Sequence, residues 1–237
     1  MATVTNIADR VCRLTGLQST GSERTLVLEY LNDAYREAVE RSECYPKTSS
    51  SVSVSADATS TTISGTVTDL GKVHSVYLSG YDGYSYLKLQ PVSMRQRLEL
   101  LHAESSSSGI PRFYAIRYSG GTVTLHLYPL PESAATVVLE YNATPLTLVE
   151  SAPGAGQEST PTAIPSVFHY RTIAAGAIAM ALETDQRRDS QPWWDRFERG
   201  VMDLTMWVNE FQGDHLVESH FLPSGKLGGS DRSRDLF

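Results

Sequence analysis

Six histidines, His74, His102, His126, His169, His215 and His220, are the side chains best suited to acid, base or metal work near neutral pH. They are scattered along the chain, and no pair has the spacing of a familiar catalytic or metal motif. His215 and His220 are the closest pair, with Asp214 and Glu218 as potential oxygen donors. Such a group lacks the closed ligand set of a structural zinc site. Cys12 and Cys44 are far apart and outside any C-x-x-C pattern, so they read as reduced packing residues. There is no G-x-S-x-G, P-loop, H-E-x-x-H, EF-hand loop or dinucleotide fingerprint. The expectation is a chain with no catalytic residues, no metal and no cofactor.

Recognition is the remaining chemistry. Trp193-Trp194 could stack on a sugar, although Trp194 also fits a helical seam. Tyr77, Tyr81, Tyr84 and Tyr86 fit either the core of a β-module or a contact surface, and they support the alternative of a carbohydrate- or receptor-binding β-module. Asp185, Arg187, Arg188 and Asp189 form a charged turn, either simply solvated or part of an intersubunit ion pair. The C-terminal DRSRDLF places Arg232 and Arg234 beside the apolar pair Leu236-Phe237, which suits an arm that docks in a partner's groove.

The elements that would position these residues follow from the apolar period. IPSVFHYRTIAAGAIAMALE and WWDRFERGVMDLTMWVNEF read as two helices joined by the polar TDQRRDSQ. Trp194, Phe197, Val201, Leu204, Val208 and Phe211 recur in steps of three and four, so they share one seam for helix packing or a subunit interface. The preceding helix is nearly all small residues, which permits close approach by a neighbour. Thr3 and Gly16 bound a first helix carrying Val4, Ile7, Val11 and Leu14, and Thr20 with Glu23 has capping-box spacing. The second helix has a charged side, Glu29, Asp33, Arg36, Glu37 and Glu40, and stops at Tyr45-Pro46.

Beyond Thr48 the period changes to two. SSVSVSA and STTISG read as a hairpin around Asp57-Ala58, and Val73–Leu78 with Tyr84–Leu89 as another. A brief helix follows over VSMRQRLELLHA, then the strands RFYAIRY, TVTLHLY and TVVLEYN. This predicts an α+β fold: a four-helix unit made from both ends of the chain, with an inserted antiparallel β-sandwich or barrel. The expected divisions are residues 1–47 and 165–212 for the two halves of the helical unit and 48–144 for the β-module. Residues 145–164, rich in Pro, Gly, Ser and Ala, read as a mobile linker, and 213–237 as an extended arm.

No apolar run approaches the roughly 18 to 20 residues that would cross a bilayer, and MATVTNIADR lacks the regions of a signal peptide. Synthesis in a cytosol and no membrane partner are expected. The net charge of −7 argues against broad adhesion to phosphate backbones, though not against a surface past which DNA slides.

In order and local pattern the chain resembles the head-to-tail adaptor (connector) proteins of tailed bacteriophages. The likeness rests on LVLEYLNDAYREAVERS, then GIPRFYAIRYSGGTVTLHLYPLPESAATVVLEYNATPLTL, then IPSVFHYRTIAAGAIAMALE and WWDRFERGVMDLTMWV. It implies a non-enzymatic virion protein at the head-tail junction, assembled as a homo-oligomeric, usually dodecameric ring. The partners implied are the portal protein, tail or stopper and tail-tube proteins, and double-stranded DNA passing through the lumen without sequence-specific binding. By the same resemblance the helical unit forms the ring and the arm, with Arg232, Arg234, Leu236 and Phe237, docks on the portal.

Overall fold

A computed structural model describes residues 2–81, 83–103, 108–185 and 189–217, with backbone alone at 84, 101–103, 185 and 211–217. Helix α1 (Val4–Thr15) begins where the Thr3 hydroxyl accepts the Asn6 N–H at 3.3 Å. It ends at Gly16, whose φ of 82° turns its own N–H onto the Cys12 carbonyl. Helix α2 (Gly21–Ser42) follows Thr20, but the capping box is not made. The Thr20 hydroxyl caps nothing, and Glu23 reaches instead to the Gln18 N–H. Glu43, at φ 53°, closes α2 ahead of Pro46.

The strands are β1 (Pro46–Val54), β2 (Thr61–Thr62), β3 (Leu70–Tyr81), β4 (Tyr84–Lys88), β5 (Gln90–Pro91), β6 (Ser108–Gly109), β7 (Phe113–Ser119), β8 (Thr122–Tyr128), β9 (Leu130–Pro131) and β10 (Ala135–Ala143), with α3 (Met94–Ala103) between β5 and β6. One sheet has the order β1-β10-β3-β4 and is antiparallel throughout; the other runs β2-β8-β7-β5, with β5 parallel to β7. Val76, Leu78, Val137 and Leu139 of the first and Tyr114, Leu125 and Leu127 of the second belong to one buried cluster, so the two sheets form a sandwich. Among the described residues neither sheet closes on itself, which removes the barrel alternative. The hairpin expected around Asp57-Ala58 is also absent: β1 pairs with β10 and β2 with β8, so the two flanking strands belong to opposite sheets.

After β10 the chain makes a short parallel pair, β11 (Thr147–Leu148) with β12 (Gln157–Glu158). A 3₁₀ turn (Ser166–Phe168) and a π turn (His169–Ile173) then lead into α4 (Ala174–Asp185), and α5 (Gln191–Val217) follows. The expectation of a single helix from Pro165 thus becomes two irregular turns and a shorter α4. The Asp189 carboxylate accepts the Gln191 N–H at 3.0 Å at the head of α5.

Helix α4 touches α1, α2 and α5 and buries Ala174, Ala175, Ala177, Ile178 and Ala179. Its small side chains let three helices approach it, so the ends of the chain close into one four-helix block. Phe197, Val201, Leu204 and Val208 of α5 are buried in this core, with Trp194 half-buried against it and edge-on to Phe197. Each full burial contributes on the order of 1.5 to 3 kcal/mol before entropy is subtracted.

Residues 145–164 are seated on α2 rather than loosely tethered. The Asn32 side chain accepts from Leu148 N–H at 2.7 Å and donates to the Leu148 carbonyl at 3.1 Å. Arg24, largely buried, pairs with Glu150 and with Asp9. Glu158 accepts the Tyr35 hydroxyl at 2.6 Å, while that hydroxyl accepts the Ala163 N–H at 2.9 Å.

The block meets the sandwich at a polar junction. Tyr45 packs against both cores. Asp69 accepts from Lys47 at 2.6 Å and from the Tyr141 hydroxyl at 2.9 Å, and Glu43 pairs with Lys72 and His74. Burial and the bond to Asp69 push the Tyr141 phenol up to about 12. Burial opposes ionisation of Asp69, but Lys47 and Tyr141 outweigh it and hold the carboxyl below its usual range.

These shifts set the signs of a pH dependence. A raised phenol contributes fully below its unfolded value near pH 10 and loses that contribution as pH climbs toward 12. A depressed carboxyl contributes above its unfolded value and loses the contribution as pH falls through its folded one. Thermal melting is therefore expected to drop on the alkaline side from pH 10 to 12, with tyrosinate absorbance rising in step. Tyr141→Phe should shallow that limb without abolishing it, because burial also raises Tyr35, Tyr77 and Tyr114. An unchanged slope would remove Tyr141 from the account.

Candidate assembly surface

No cluster of three or more metal-ligating side chains occurs among the described residues. His169 is buried, its Nε2 2.8 Å from the Ile164 carbonyl; His126 Nδ1 lies 3.0 Å from the Thr59 carbonyl, and His74 faces Glu43. Each is held in a structural setting. His215 and His220 lie outside the residues whose side chains are described, as does His102. Cys12 and Cys44 are free and buried.

The tyrosines that could have formed a sugar platform share the β3–β4 hairpin, but their described side chains are held in different settings. Tyr77 donates to Glu140, Tyr81 is buried and accepts the Glu132 N–H at 2.8 Å, and Tyr86 is exposed. The Tyr84 side chain is outside the described set. Trp193 is half-buried beneath the Arg196 guanidinium, 5.6 Å from its ring centre, and Trp194 belongs to the helical core. Of the seam residues, Phe197, Val201, Leu204 and Val208 face the interior of their own chain, while the Phe211 side chain is not described. Arg187, Arg188, Arg232, Arg234, Leu236 and Phe237 also lie outside the described residues.

What the outer helices expose is charge and methionine. Along α2, Glu29, Asp33, Arg36 and Glu40 form one solvent-facing stripe, three carboxylates against one guanidinium. Where the π turn crosses the first half of α5, Arg171, Arg196 and Arg199 line a shallow cup with Pro192, Gly200 and Asp203. Gly200 is what permits the crossing: a Cβ there would stand 2.4 Å from Thr172 Oγ1. Arg171 pairs with Asp203 at 3.2 Å and lies 4.2 Å over the Phe168 ring, and its Nε is buried without a partner. Below the cup on the same helix, Met202 and Met206 remain 64% and 55% exposed. Methionine and arginine together are typical of protein contact surfaces.

The charged side of α2 is readable from sequence. The cup is not, because Arg171 is brought to α5 by a π turn that no period announces. Arg196 and Arg199, one helical turn apart, were its sole local signal.

A four-helix block with an inserted sandwich and contact-type outer faces suits a protein that packs against neighbours. The family comparison makes this specific: residues 2–215 match the family described as SU10 adaptor protein, and the chain belongs to that family. A search of curated proteins found no match. The protein is a virion-associated, non-enzymatic head-to-tail adaptor rather than a carbohydrate-binding module, and its family implies oligomeric assembly with portal and tail components.

Proposed function

We propose that this adaptor assembles as a dodecameric ring beneath the portal, extending the DNA channel and presenting the platform on which the tail is built. The observation that carries this reading is the family match spanning both halves of the helical block and the sandwich between them. The block supplies the ring wall, while the sandwich projects outward or toward the stopper and tail-tube proteins. An acidic chain of net charge −7 suits a lumen through which double-stranded DNA slides, since few phosphate contacts hold it back. Residues 213–237 form the portal-docking arm, with Leu236 and Phe237 as anchors and Arg232 and Arg234 as polar contacts. The described helical core, including Phe197, Val201, Leu204 and Val208, backs the ring surface from within.

Native mass measurement and imaging with purified portal test the proposal. A complex carrying many copies of this chain in a closed ring is expected. Removal of residues 228–237 should leave the melting temperature unchanged but reduce portal binding at least tenfold, the equivalent of about 1.4 kcal/mol. A truncated protein that still binds portal at full strength would remove the arm from the proposal.

A further inference from the structure

A closed ring of identical subunits needs two different faces on each copy, one receiving the other. The outer faces of α2 and α5 have that relationship in charge. The α2 stripe holds Glu29, Asp33 and Glu40 with Arg36 alone opposing them, and Arg36 is 3.7 Å from Asp33. The cup holds Arg171, Arg196 and Arg199 with Asp203 alone opposing them. One face is the other with its signs exchanged. Among the described residues, Glu29 and Glu40 have no cation in ion-pair range and Arg196 and Arg199 have no carboxylate. Asp195 is adjacent but outside the cup lining: its carboxylate accepts the Gln191 side-chain amide at 2.9 Å, and its backbone carbonyl accepts Arg199 Nε at 3.2 Å.

Beyond the Arg36–Asp33 pair inside the stripe and the Arg171–Asp203 pair inside the cup, no ion pair links stripe to cup within one copy among the described residues. Among the described residues, the ion pair joining α2 to α5 is Arg41 with Glu198, both partly exposed, and Glu37 shares the same arginine. That contact fixes α5 against α2 and leaves the stripe and the cup facing outward. Beside the cup, Met202 and Met206 offer an apolar surface of the sort that arginine and carboxylate pairs usually rim.

Resting on the ring reading above, we infer that the arginine cup of one copy receives the α2 stripe of the next, so that Arg196 and Arg199 meet Glu29, Asp33 and Glu40 across the subunit boundary. The partner is a second copy of this chain, and the methionines cover the apolar part of the contact. Planar guanidinium groups suit carboxylates because two parallel N–H donors can engage both oxygens. Charge complementarity of this type sets register and orientation, which a ring must specify to close.

Charge exchange tests the inference on the full chain with portal present. Arg196→Glu with Arg199→Glu places carboxylate against carboxylate, and Glu29→Arg with Glu40→Arg places guanidinium against guanidinium. Each pair should reduce ring formation at least tenfold, whereas the four changes combined in one chain should restore it. All four positions are exposed, so melting temperatures should match the unchanged protein and a folding defect is excluded directly. Rings that persist in both reversed variants would overturn the inference. So would folded single-face variants that fail to form rings and are not rescued by the combined exchange. If the arginine reversal left rings intact and abolished salt-sensitive binding of double-stranded DNA, the cup would be a phosphate contact and the inference would fall. An unchanged protein that forms no multi-copy complex with portal would defeat the ring reading itself, which separates the two failures.

Discussion

Replacing Glu158 with alanine is expected to cost roughly 3 to 5 kcal/mol, because the buried Tyr35 hydroxyl and both donors of Thr162 lose a charged acceptor at once. Glu158 is only 7% exposed, and its carboxylate takes the Tyr35 hydroxyl at 2.6 Å and the Thr162 N–H at 3.1 Å. The Thr162 hydroxyl donates to the same oxygen as its backbone. Tyr35 is equally committed, since its oxygen accepts the Ala163 N–H while its proton goes to Glu158. Tyr35→Phe therefore orphans a buried amide and removes one of the donors that solvate the carboxylate, at about 2 to 4 kcal/mol. Chemical denaturation of the two single variants and of Tyr35→Phe combined with Glu158→Ala closes a double-mutant cycle. Strong coupling between the positions is expected, because one hydrogen bond joins them. Costs below about 1 kcal/mol for either single change would show that residues 157–163 are not clamped to α2 in solution.

That clamp also explains what composition conceals. Residues 145–164 have the Pro, Gly and Ser content of a tether, yet Leu148, Glu150 and Glu158 find their partners at Asn32, Arg24 and Tyr35, more than a hundred positions earlier. No local period records such pairing. The same blindness affects β1 and β2: alternation identifies a strand and its wet face but not its neighbour, and both strands pair with distant β10 and β8. Helices behave differently, because a 3.6-residue period names the buried face regardless of what covers it. The seam from Trp194 through Val208 was therefore identifiable from spacing alone. The adaptor identity was recognisable from the order of the segments, while the arginine cup depended on a π turn and a glycine crossing that only three-dimensional structure supplies.

The second large effect is expected where three helices meet. Gly176 of α4 lies so close to its neighbours that an added Cβ would stand 2.8 Å from the Ala34 Cβ and 2.8 Å from the Phe197 Cδ2. Both neighbours are fully buried, so neither can move aside into solvent. Gly176→Val should destabilise the block by roughly 3 kcal/mol or more, and Gly176→Ala by about 1 to 3 kcal/mol, despite the better helix propensity of alanine. Overpacking has a signature that a mere loss of contact lacks: shrinking the obstructing ring should relieve it. Phe197→Leu introduced beside Gly176→Ala is expected to recover part of the loss, although Phe197→Leu alone should cost stability. The crossing also sets the position of α5, and with it both the Arg41–Glu198 pair and the Arg196–Arg199 surface. Gly176→Ala should consequently lower ring formation more than its melting temperature alone accounts for. Equal stability of Gly176→Ala and the unchanged protein would mean that α2, α4 and α5 do not cross this closely.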